Sequence, residues 1–316
     1  MALAEFRQVR DHMTSQILGQ GELIDGLLIA LLCEGHVLIE GAPGLAKTRA
    51  VKVLASAIEG RFARIQFTPD LLPADLTGSE VFHPQDASFQ FQPGPLFNHL
   101  VLADEINRAP AKVQSALLEA MAERQITVGK KSWRLPGLFM VAATQNPIEQ
   151  EGTYPLPEAQ LDRFLFKLEV GYPGPALELA ILQLGEQGET IPPCPCLIDP
   201  QTLQGARDAV LKVMMQPRLA HYLVQLICAT RPGSGIAPEL APLIAFGASP
   251  RATLGLARAA RARAWLAGRD YVLPDDIQLL APAVLRHRLL PSYQAQAEGI
   301  GTDAIIQRLL EWVPCP

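Results

Sequence analysis

A glycine-rich loop is the segment of this chain whose residue types most directly specify chemistry. It follows an apolar, strand-like run at residues 36–40, and a helix is expected to begin where it ends. Glycines allow successive backbone N–H groups to point at one oxyanion, and the helix dipole adds positive potential there. The lysine near its end would reach the β- and γ-phosphates of a nucleotide, and the adjacent threonine hydroxyl would ligate Mg²⁺. The predicted phosphate loop consists of Gly41, Ala42, Pro43, Gly44, Leu45, Ala46, Lys47 and Thr48.

The loop departs from the usual phosphate-binding pattern at one position. Ala46 stands where that pattern has glycine, immediately before the lysine. An ordinary glycine-rich turn between a strand and a helix therefore remains the alternative. Deciding between the two requires independent signals elsewhere in the chain.

Two further apolar runs end in polar residues that suit the same chemistry. Residues 99–103 lead into Asp104 and Glu105, as expected of a buried parallel strand that ends in carboxylates. Side chains alternate along a strand, so Asp104 would join the metal's water shell while Glu105 faces the attacking water as general base. Residues 138–143 lead into Asn146, whose amide would orient that water. The order of loop, acids and amide favours a nucleotide site over three unrelated loops.

Two arginines could supply positive charge to phosphoryl transfer. Arg163 follows a proline-rich loop, and Arg251 opens a helix far downstream. A positioned guanidinium stabilises the negative charge that develops in this reaction, by about 10³ to 10⁵ in rate when it is supplied in trans. Each residue taken alone is as readily explained as a surface arginine in a solvated ion pair.

Together these segments resemble the MoxR-type AAA+ ATPases, a group related to the ATPase subunit of magnesium chelatase. GAPGLAKT is similar to the Walker A motif, including its alanine before the lysine, and VLADEINRAP to the Walker B segment. ATQNP resembles the sensor-1 strand, LPEAQLDRF the arginine-finger helix, GASPRA the sensor-2 helix and YVLPDDI the lid signature. The similarity covers nearly the whole chain.

The resemblance implies an α/β fold, a P-loop AAA+ core with a five-stranded parallel sheet flanked by helices, followed by a small all-α lid domain. It implies that Arg163 acts on the nucleotide of a neighbouring subunit and Arg251 on the γ-phosphate of its own. Gly19 and Gln20 would flank the adenine. ATP and Mg²⁺ are the implied cofactors, with Thr48 and Asp104 at the metal.

Hydrophobic patterning predicts where the elements lie. Strands are expected near residues 36–40, 64–67, 99–103, 138–143 and 166–170. The nucleotide-binding core is predicted at residues 1–190 and the helical lid at 191–316. Hairpins are predicted around the turn 84–88 and around 129–131, and in the resembled family both face the pore of a ring. Solvent-exposed decoration is the alternative for both hairpins.

Composition bears on location and partners. The net charge of −5 offers no global basic field, which disfavours strong binding to nucleic acid. A basic cluster at Arg258, Arg261, Arg263 and Arg269 is better explained as a polar helix face or a subunit contact. The first residues lack a signal-peptide pattern, and the apolar run 23–32 is too short to span a bilayer, so no membrane insertion and a cytoplasmic location are expected.

We therefore predict Mg²⁺-dependent ATP hydrolysis in a homo-oligomeric ring, expected to be a hexamer. By resemblance, the ring would remodel, activate or load metal into a client protein, together with a von Willebrand factor A domain adaptor. A metal-chelatase motor subunit and a nucleic-acid-stimulated motor are two other outputs that remain open. A regulatory protein that binds nucleotide and turns over slowly is also compatible with these residues.

Overall fold

A computed structural model describes residues 2–85, 88–129, 131–147, 152–186, 191–195 and 197–316 of the chain. The strands are β1 (Val37–Gly41), β2 (Phe62–Gln66), β3 (Gly78–His83), β4 (Ser88–Pro93), β5 (Leu100–Asp104), β6 (Gln125–Val128), β7 (Lys131–Arg134), β8 (Met140–Gln145), β9 (Phe166–Val170), β10 (Ile244–Phe246) and β11 (Leu290–Pro291). The helices are α1 (Ala2–Gln16), α2 (Gly21–Leu32), α3 (Lys47–Ser56), α4 (Pro73–Thr77), α5 (Ala111–Glu123), α6 (Glu158–Leu161), α7 (Pro175–Glu186), α8 (Pro200–Lys212), α9 (Pro217–Ala229), α10 (Pro250–Leu266), α11 (Pro274–Leu285), α12 (Tyr293–Ala297) and α13 (Thr302–Trp312).

Five strands form one parallel sheet in the order β2-β5-β8-β1-β9, which confirms the predicted core. Each predicted strand is present, with its ends within two residues of the predicted ones. The three central strands β5, β8 and β1 are almost entirely buried because helices cover both faces of the sheet. Parallel pairing brings the carboxyl ends of β1, β5 and β8 to the same edge.

Side chains of β1 alternate between two hydrophobic cores on opposite faces of the sheet. Val37 and Ile39 belong to a core that includes α1, α2, α3 and the C-terminal helices. Leu38 belongs to a second core, which α5 covers. The C-terminal helices thus share one continuous apolar core with the N-terminal ones, and the rings of Phe6 and Trp265 meet edge to face at 5.4 Å.

The region after the sheet is helical, as predicted, with one short addition. Ile244–Phe246 pairs antiparallel with Leu290–Pro291, a ribbon too short for the sequence pattern to reveal. The predicted boundary between residues 190 and 191 stays a prediction, and residues 187–190 lie outside the described part of the chain.

Among the described residues, no helix has both the length and the apolar character needed to cross a membrane.

Both predicted hairpins are present. β3 pairs with β4, and β6 pairs with β7. In the second hairpin Val128 pairs with Lys131, so the loop is one residue shorter than predicted. Gly129 has a φ of 61°, which suits such a tight connection. Lys130 lies outside the described residues. The predicted turn of the first hairpin includes residues 86 and 87, which also lie outside them.

A buried histidine joins the sheet to the helix that covers it. His36, just before β1, accepts a hydrogen bond at Nδ1 from the Val141 backbone N–H at 3.0 Å. Its Nε2 lies 3.4 Å from the Met121 carbonyl and must carry the proton, since Nδ1 accepts. Burial lowers the pKa of His36 from its ordinary value to about 4. The imidazole therefore stays neutral in the folded protein at neutral pH.

This burial predicts a loss of stability on acidification. The unfolded chain binds a proton at His36 near pH 6.5 and the folded chain only near pH 4, so stability falls as the pH falls between these values. This one group should lower the free energy of unfolding by about 2 kcal/mol from pH 7 to pH 5. Urea unfolding of His36→Gln should show a correspondingly shallower pH dependence than the parent. The exposed His221 provides the control, because His221→Gln should keep the parental slope; equal slopes in all three proteins would contradict the assignment.

Candidate active site

The phosphate loop begins where β1 ends, against the neighbouring strand β9. A Cβ on Gly41 would lie 2.6 Å from the Val170 carbonyl oxygen, so only glycine fits there. Gly44 has a φ of 82° and Ala46 a φ of 57°, both in the left-handed region. Glycine adopts that region without steric cost, which explains its usual place before the lysine; alanine bears a cost of roughly 1–2 kcal/mol. α3 begins directly afterwards at Lys47, with its first N–H groups at the loop.

A cavity of about 520 Å³ lies over this loop. Its walls come from the loop, from α3 and β2, from the ends of β5 and β8, and from Ile191. The polar and charged residues among its lining are Lys47, Thr48, Arg49, Lys52, Arg64, Gln66, Asp104, Glu105, Thr144, Gln145 and Asn146. The structure thus brings together the loop, the acid pair and the amide that the sequence predicted at three separate strand ends.

Lys47 is held by the loop that precedes it. Its Nζ donates hydrogen bonds to the Gly41 carbonyl and, at 2.9 Å, to the Ala42 carbonyl. Burial lowers the pKa of Lys47, while the carboxylates of Asp104 and Glu105 oppose that shift. The ammonium group therefore stands between the loop carbonyls and the two acids, where phosphate oxygens would provide it with further anionic partners.

Asp104 is 7% exposed and lies at the centre of a polar cluster. Its Oδ1 accepts from the Thr144 hydroxyl at 2.6 Å. Its Oδ2 accepts from Arg64 Nη2 at 2.7 Å and lies 3.4 Å from the Thr48 hydroxyl. Two of the oxygens predicted to serve a metal ion are therefore adjacent, and a guanidinium balances the charge of the carboxylate.

Glu105 is positioned by three neighbouring groups. Its backbone has a left-handed φ of 57°, which turns the chain sharply as β5 ends. Its Oε2 accepts from Gln66 Nε2 at 2.8 Å and from Arg108 Nη1 at 3.1 Å. Its backbone N–H donates to the Thr144 hydroxyl at 2.9 Å, so this one hydroxyl bridges both acids.

Sequence reasoning missed the roles of Arg64, Gln66 and Thr144. The sequence offered a partial signal for Gln66, because it lies near the end of a strand predicted at residues 64–67 in a parallel sheet. Its pairing with Asp104 follows only from the β2–β5 register. Arg64 precedes Gln66 by two residues and so lies on the same side of the strand.

Asn146, at 5% exposure, lies in the cavity wall just after β8, as its predicted role requires.

The structure does not bring Arg163 and Arg251 to this cavity. Arg163 lies three residues before β9, whose first residue pairs with the first residue of β1. It is therefore at the opposite edge of the sheet from the loop, separated by the length of β1, roughly 13 Å. Arg251 Nη1 lies 3.8 Å from Asp162 Oδ2, at that same far edge. This position argues against the expected contact between Arg251 and the γ-phosphate of its own chain.

Among the described residues, the Arg163 guanidinium has one hydrogen bond, from Nη1 to the Leu118 carbonyl of α5. The Arg251 side chain is 57% exposed. Both arginines therefore keep N–H groups available for a partner outside this chain.

The predicted adenine-flanking residues lie near the start of α7. Gly19 has a φ of 75°, and a Cβ there would lie 2.6 Å from Leu177 Cδ1. Gln20 Nε2 donates to the Gly171 carbonyl at 3.3 Å. Arg49 of α3 donates to the Gln16 carbonyl at 3.2 Å, which ties this segment to the phosphate loop. Their contact with adenine stays a prediction.

The donor set fits a magnesium nucleotide. The loop has left-handed backbone at two positions, no side chain at Gly41 and a helix N-terminus, which together form a cradle for an oxyanion. The Thr48 hydroxyl and the Asp104 carboxylate offer the hard oxygen ligands that Mg²⁺ prefers. Lys47 supplies the positive charge that a triphosphate needs.

The bridging hydroxyl of Thr144 leads to a stability prediction. Thr144→Val should lower the free energy of unfolding by about 1–3 kcal/mol, because the buried Asp104 carboxylate and the Glu105 N–H each lose a hydrogen-bond partner. Urea unfolding measures this change. Thr127→Val on β6 removes an exposed hydroxyl that bonds to Ser132 and should cost less than about 0.5 kcal/mol. A loss at Thr144 no larger than that at Thr127 would contradict the bridging role.

Comparison with known proteins identifies the family. Residues 36–166 match the model for the ATPase family associated with various cellular activities (AAA), and residues 237–309 match an AAA lid domain. The chain is 46% identical to the chaperone MoxR1 of Mycobacterium tuberculosis, over 95% of this chain and 79% of that protein. It is 35% identical to the protein MoxR of Paracoccus denitrificans, over 99% of this chain and 97% of that one.

A solved structure has the same fold. A crystal structure from Cytophaga hutchinsonii, whose protein carries a provisional assignment as an ATPase, superposes with a TM-score of 0.90 at 42% identity, over 99% of this chain and 95% of that chain. The phosphate loop, the acids that follow β5 and the extent of these similarities lead to one conclusion: the chain belongs to the MoxR-type AAA+ ATPases and is an enzyme that hydrolyses ATP.

Proposed function

We propose that this ATPase works as a Mg²⁺-dependent homo-oligomeric ring in which each active site is completed by the neighbouring subunit. The observation that supports this is the distance between the two halves of the site. The loop and acids lie at one edge of the sheet, whereas Arg163 and Arg251 lie together at the other. In a head-to-tail ring, one subunit's arginines meet the next subunit's phosphate loop.

Residues of one chain would bind and orient the nucleotide. Lys47 and the backbone N–H groups of residues 41–48 bind phosphate oxygens, and Thr48 and Asp104 hold the metal. Mg²⁺, when bound, neutralises phosphate charge. Glu105 accepts a proton at a carboxylate oxygen from water, which Asn146 orients through its amide.

The neighbouring chain would supply the remaining positive charge. Arg163 and, in a revision of its predicted role in its own chain, Arg251 approach the nucleotide of the next subunit. A guanidinium stabilises the negative charge that develops during phosphoryl transfer. Hydrolysis then depends on assembly, because a single chain lacks part of the positive charge at its own site.

The work driven by hydrolysis is proposed to be chaperone-like remodelling of a client protein. This rests on the relative named as a chaperone and on the hairpin of β3 and β4, which projects aromatic side chains. Phe82 and Phe89 are exposed there, with ring centroids 5.2 Å apart, whereas Phe91 stacks on Trp133 of β7 at 4.6 Å. Phe89 is therefore the proposed client contact, since Phe91 is packed within the fold.

Finer points of this function remain predictions: a hexamer, a von Willebrand factor A domain adaptor, metal loading of the client and a cytoplasmic location. A nucleic-acid motor receives no support from the basic cluster on and just after α10. Arg263 and Arg269 both pair with the buried Asp276, and Arg261 donates to the Val213 carbonyl. These arginines hold the lid together and do not form an unpaired basic stripe.

Replacing the proposed base should separate binding from hydrolysis. Glu105→Gln should bind ATP with Mg²⁺, measured by calorimetry, and release phosphate about 10² to 10⁴ times more slowly than the parent. Glu311→Gln changes an exposed carboxylate on α13 in the same way and should keep the parental rate. Parental turnover by Glu105→Gln would assign the base elsewhere.

Subunit mixing tests completion of the site across an interface. Glu105→Gln and Arg163→Ala should each be nearly inactive alone. Mixed in equal amounts and reassembled, they should regain activity, because about a quarter of the interfaces then combine an intact Glu105 with a neighbour's intact Arg163. Phosphate release measures the recovery, and mixing two preparations of Glu105→Gln is the control. An inactive mixture would contradict action by the neighbouring subunit.

A further inference from the structure

We propose that Arg288, a buried residue just after α11 in the lid, is a positioning residue that sets the placement of the Arg163 guanidinium at the neighbouring subunit's active site. This inference rests on the proposed function, in which Arg163 acts on the next subunit. Arg288 does not line the cavity over the phosphate loop, and its side chain is only 3% exposed.

The Arg288 guanidinium binds the backbone on both sides of Arg163. Its Nη2 donates to the Asp162 carbonyl at 3.1 Å and to the Phe164 carbonyl at 2.6 Å. Its Nη1 donates to the Leu165 carbonyl at 3.1 Å. These bonds bracket the Arg163 peptide, and the adjacent His287 lies with Nε2 3.0 Å from the Phe164 carbonyl.

The same cation also binds the carboxylate that joins the two proposed catalytic arginines. Arg288 Nε donates to Asp162 Oδ1 at 2.6 Å. Asp162 Oδ2 accepts from the Ser249 hydroxyl at 2.9 Å and lies 3.8 Å from Arg251 Nη1. Ser249 caps α10, whose first turn contains Arg251. One carboxylate and one guanidinium therefore connect the Arg163 turn, the start of α10 and the end of α11.

The chemistry of this contact requires arginine. The planar fork presents five N–H donors in fixed directions, and here they serve a carboxylate and several carbonyls at once. Burial lowers the pKa of Arg288, whereas its bond to Asp162 raises it. Lysine keeps the charge but presents its donors from a single point, so it cannot hold residues 162, 164 and 165 together.

These contacts join the Arg163 turn to the lid. Residues 162–165 precede β9 and also keep bonds to the core, from the Leu165 N–H to the His36 carbonyl and from Arg163 Nη1 to the Leu118 carbonyl. The contacts with Ser249, His287 and Arg288 come from the lid, so loss of the Arg288 bonds would let the Arg163 turn shift. Displacement of a catalytic group by about 1 Å is enough to cost about 10²-fold in rate.

The test places Arg288→Lys in each of the two roles that a subunit plays in the mixing experiment. In the donor role, the double variant Glu105→Gln/Arg288→Lys supplies Arg163 to an Arg163→Ala subunit. In the acceptor role, Arg163→Ala/Arg288→Lys receives Arg163 from a Glu105→Gln subunit. Phosphate release is measured for both mixtures against the parental mixture of Glu105→Gln with Arg163→Ala.

We expect the recovered rate to fall about tenfold or more in the donor role and to stay within about twofold in the acceptor role. The asymmetry distinguishes positioning from general destabilisation, which lowers both. Arg269→Lys is the matched control, because Arg269 makes two bonds to the buried Asp276 within the lid and none to residues 162–165. It should affect the two roles equally.

Retained activity in both roles, or an equal loss in both, would overturn the proposal. If Arg288→Lys does not purify as a folded protein, Asp162→Asn weakens the same bond from the core side and is judged by the same asymmetry. Failure of the parental mixture to recover activity is a different result, because it refutes action across the interface and not the part played by Arg288.

Discussion

The parallel pairing of β5, β8 and β1 is the constraint on which the active site depends. Each strand ends in a different functional group, and the shared direction of the strands places all three groups at one edge of the sheet. The apolar strands are buried on both faces, so their register is fixed by packing. A loop, an acid pair and an amide separated by about a hundred residues of chain thereby line one cavity.

Electrostatic balance is the second requirement at this edge. Asp104 is nearly buried beside Glu105, and two adjacent carboxylates would repel each other strongly there without compensation. Arg64, Arg108 and Lys47 supply positive charge, and the Thr144 hydroxyl contacts both residues of the pair. The chain's own side chains thus hold the acids in place, which is the preorganisation that electrostatic catalysis requires.

The same parallel sheet separates the arginines from the loop. β9 runs alongside β1, so the turn before β9 lies at the edge opposite the phosphates. The contacts of Asp162 and Arg288 then attach that turn to the lid. In the ring we propose, the lid of one subunit would influence catalysis in the next, because the backbone on both sides of Arg163 is bonded to Arg288 of the lid.

The sequence by itself determined the strands of the sheet, both hairpins, the helical lid and the identities of Lys47, Thr48, Asp104 and Glu105 as candidate site residues. Local signals suffice for these features, since apolar runs, glycines and strand-terminal acids are legible along a single segment. Only the tertiary structure decided the partners of the acids and the position of Arg251. Those depend on strand register and on the packing of the lid against residues 162–165, which join residues distant in the chain. No periodicity within one segment encodes such contacts.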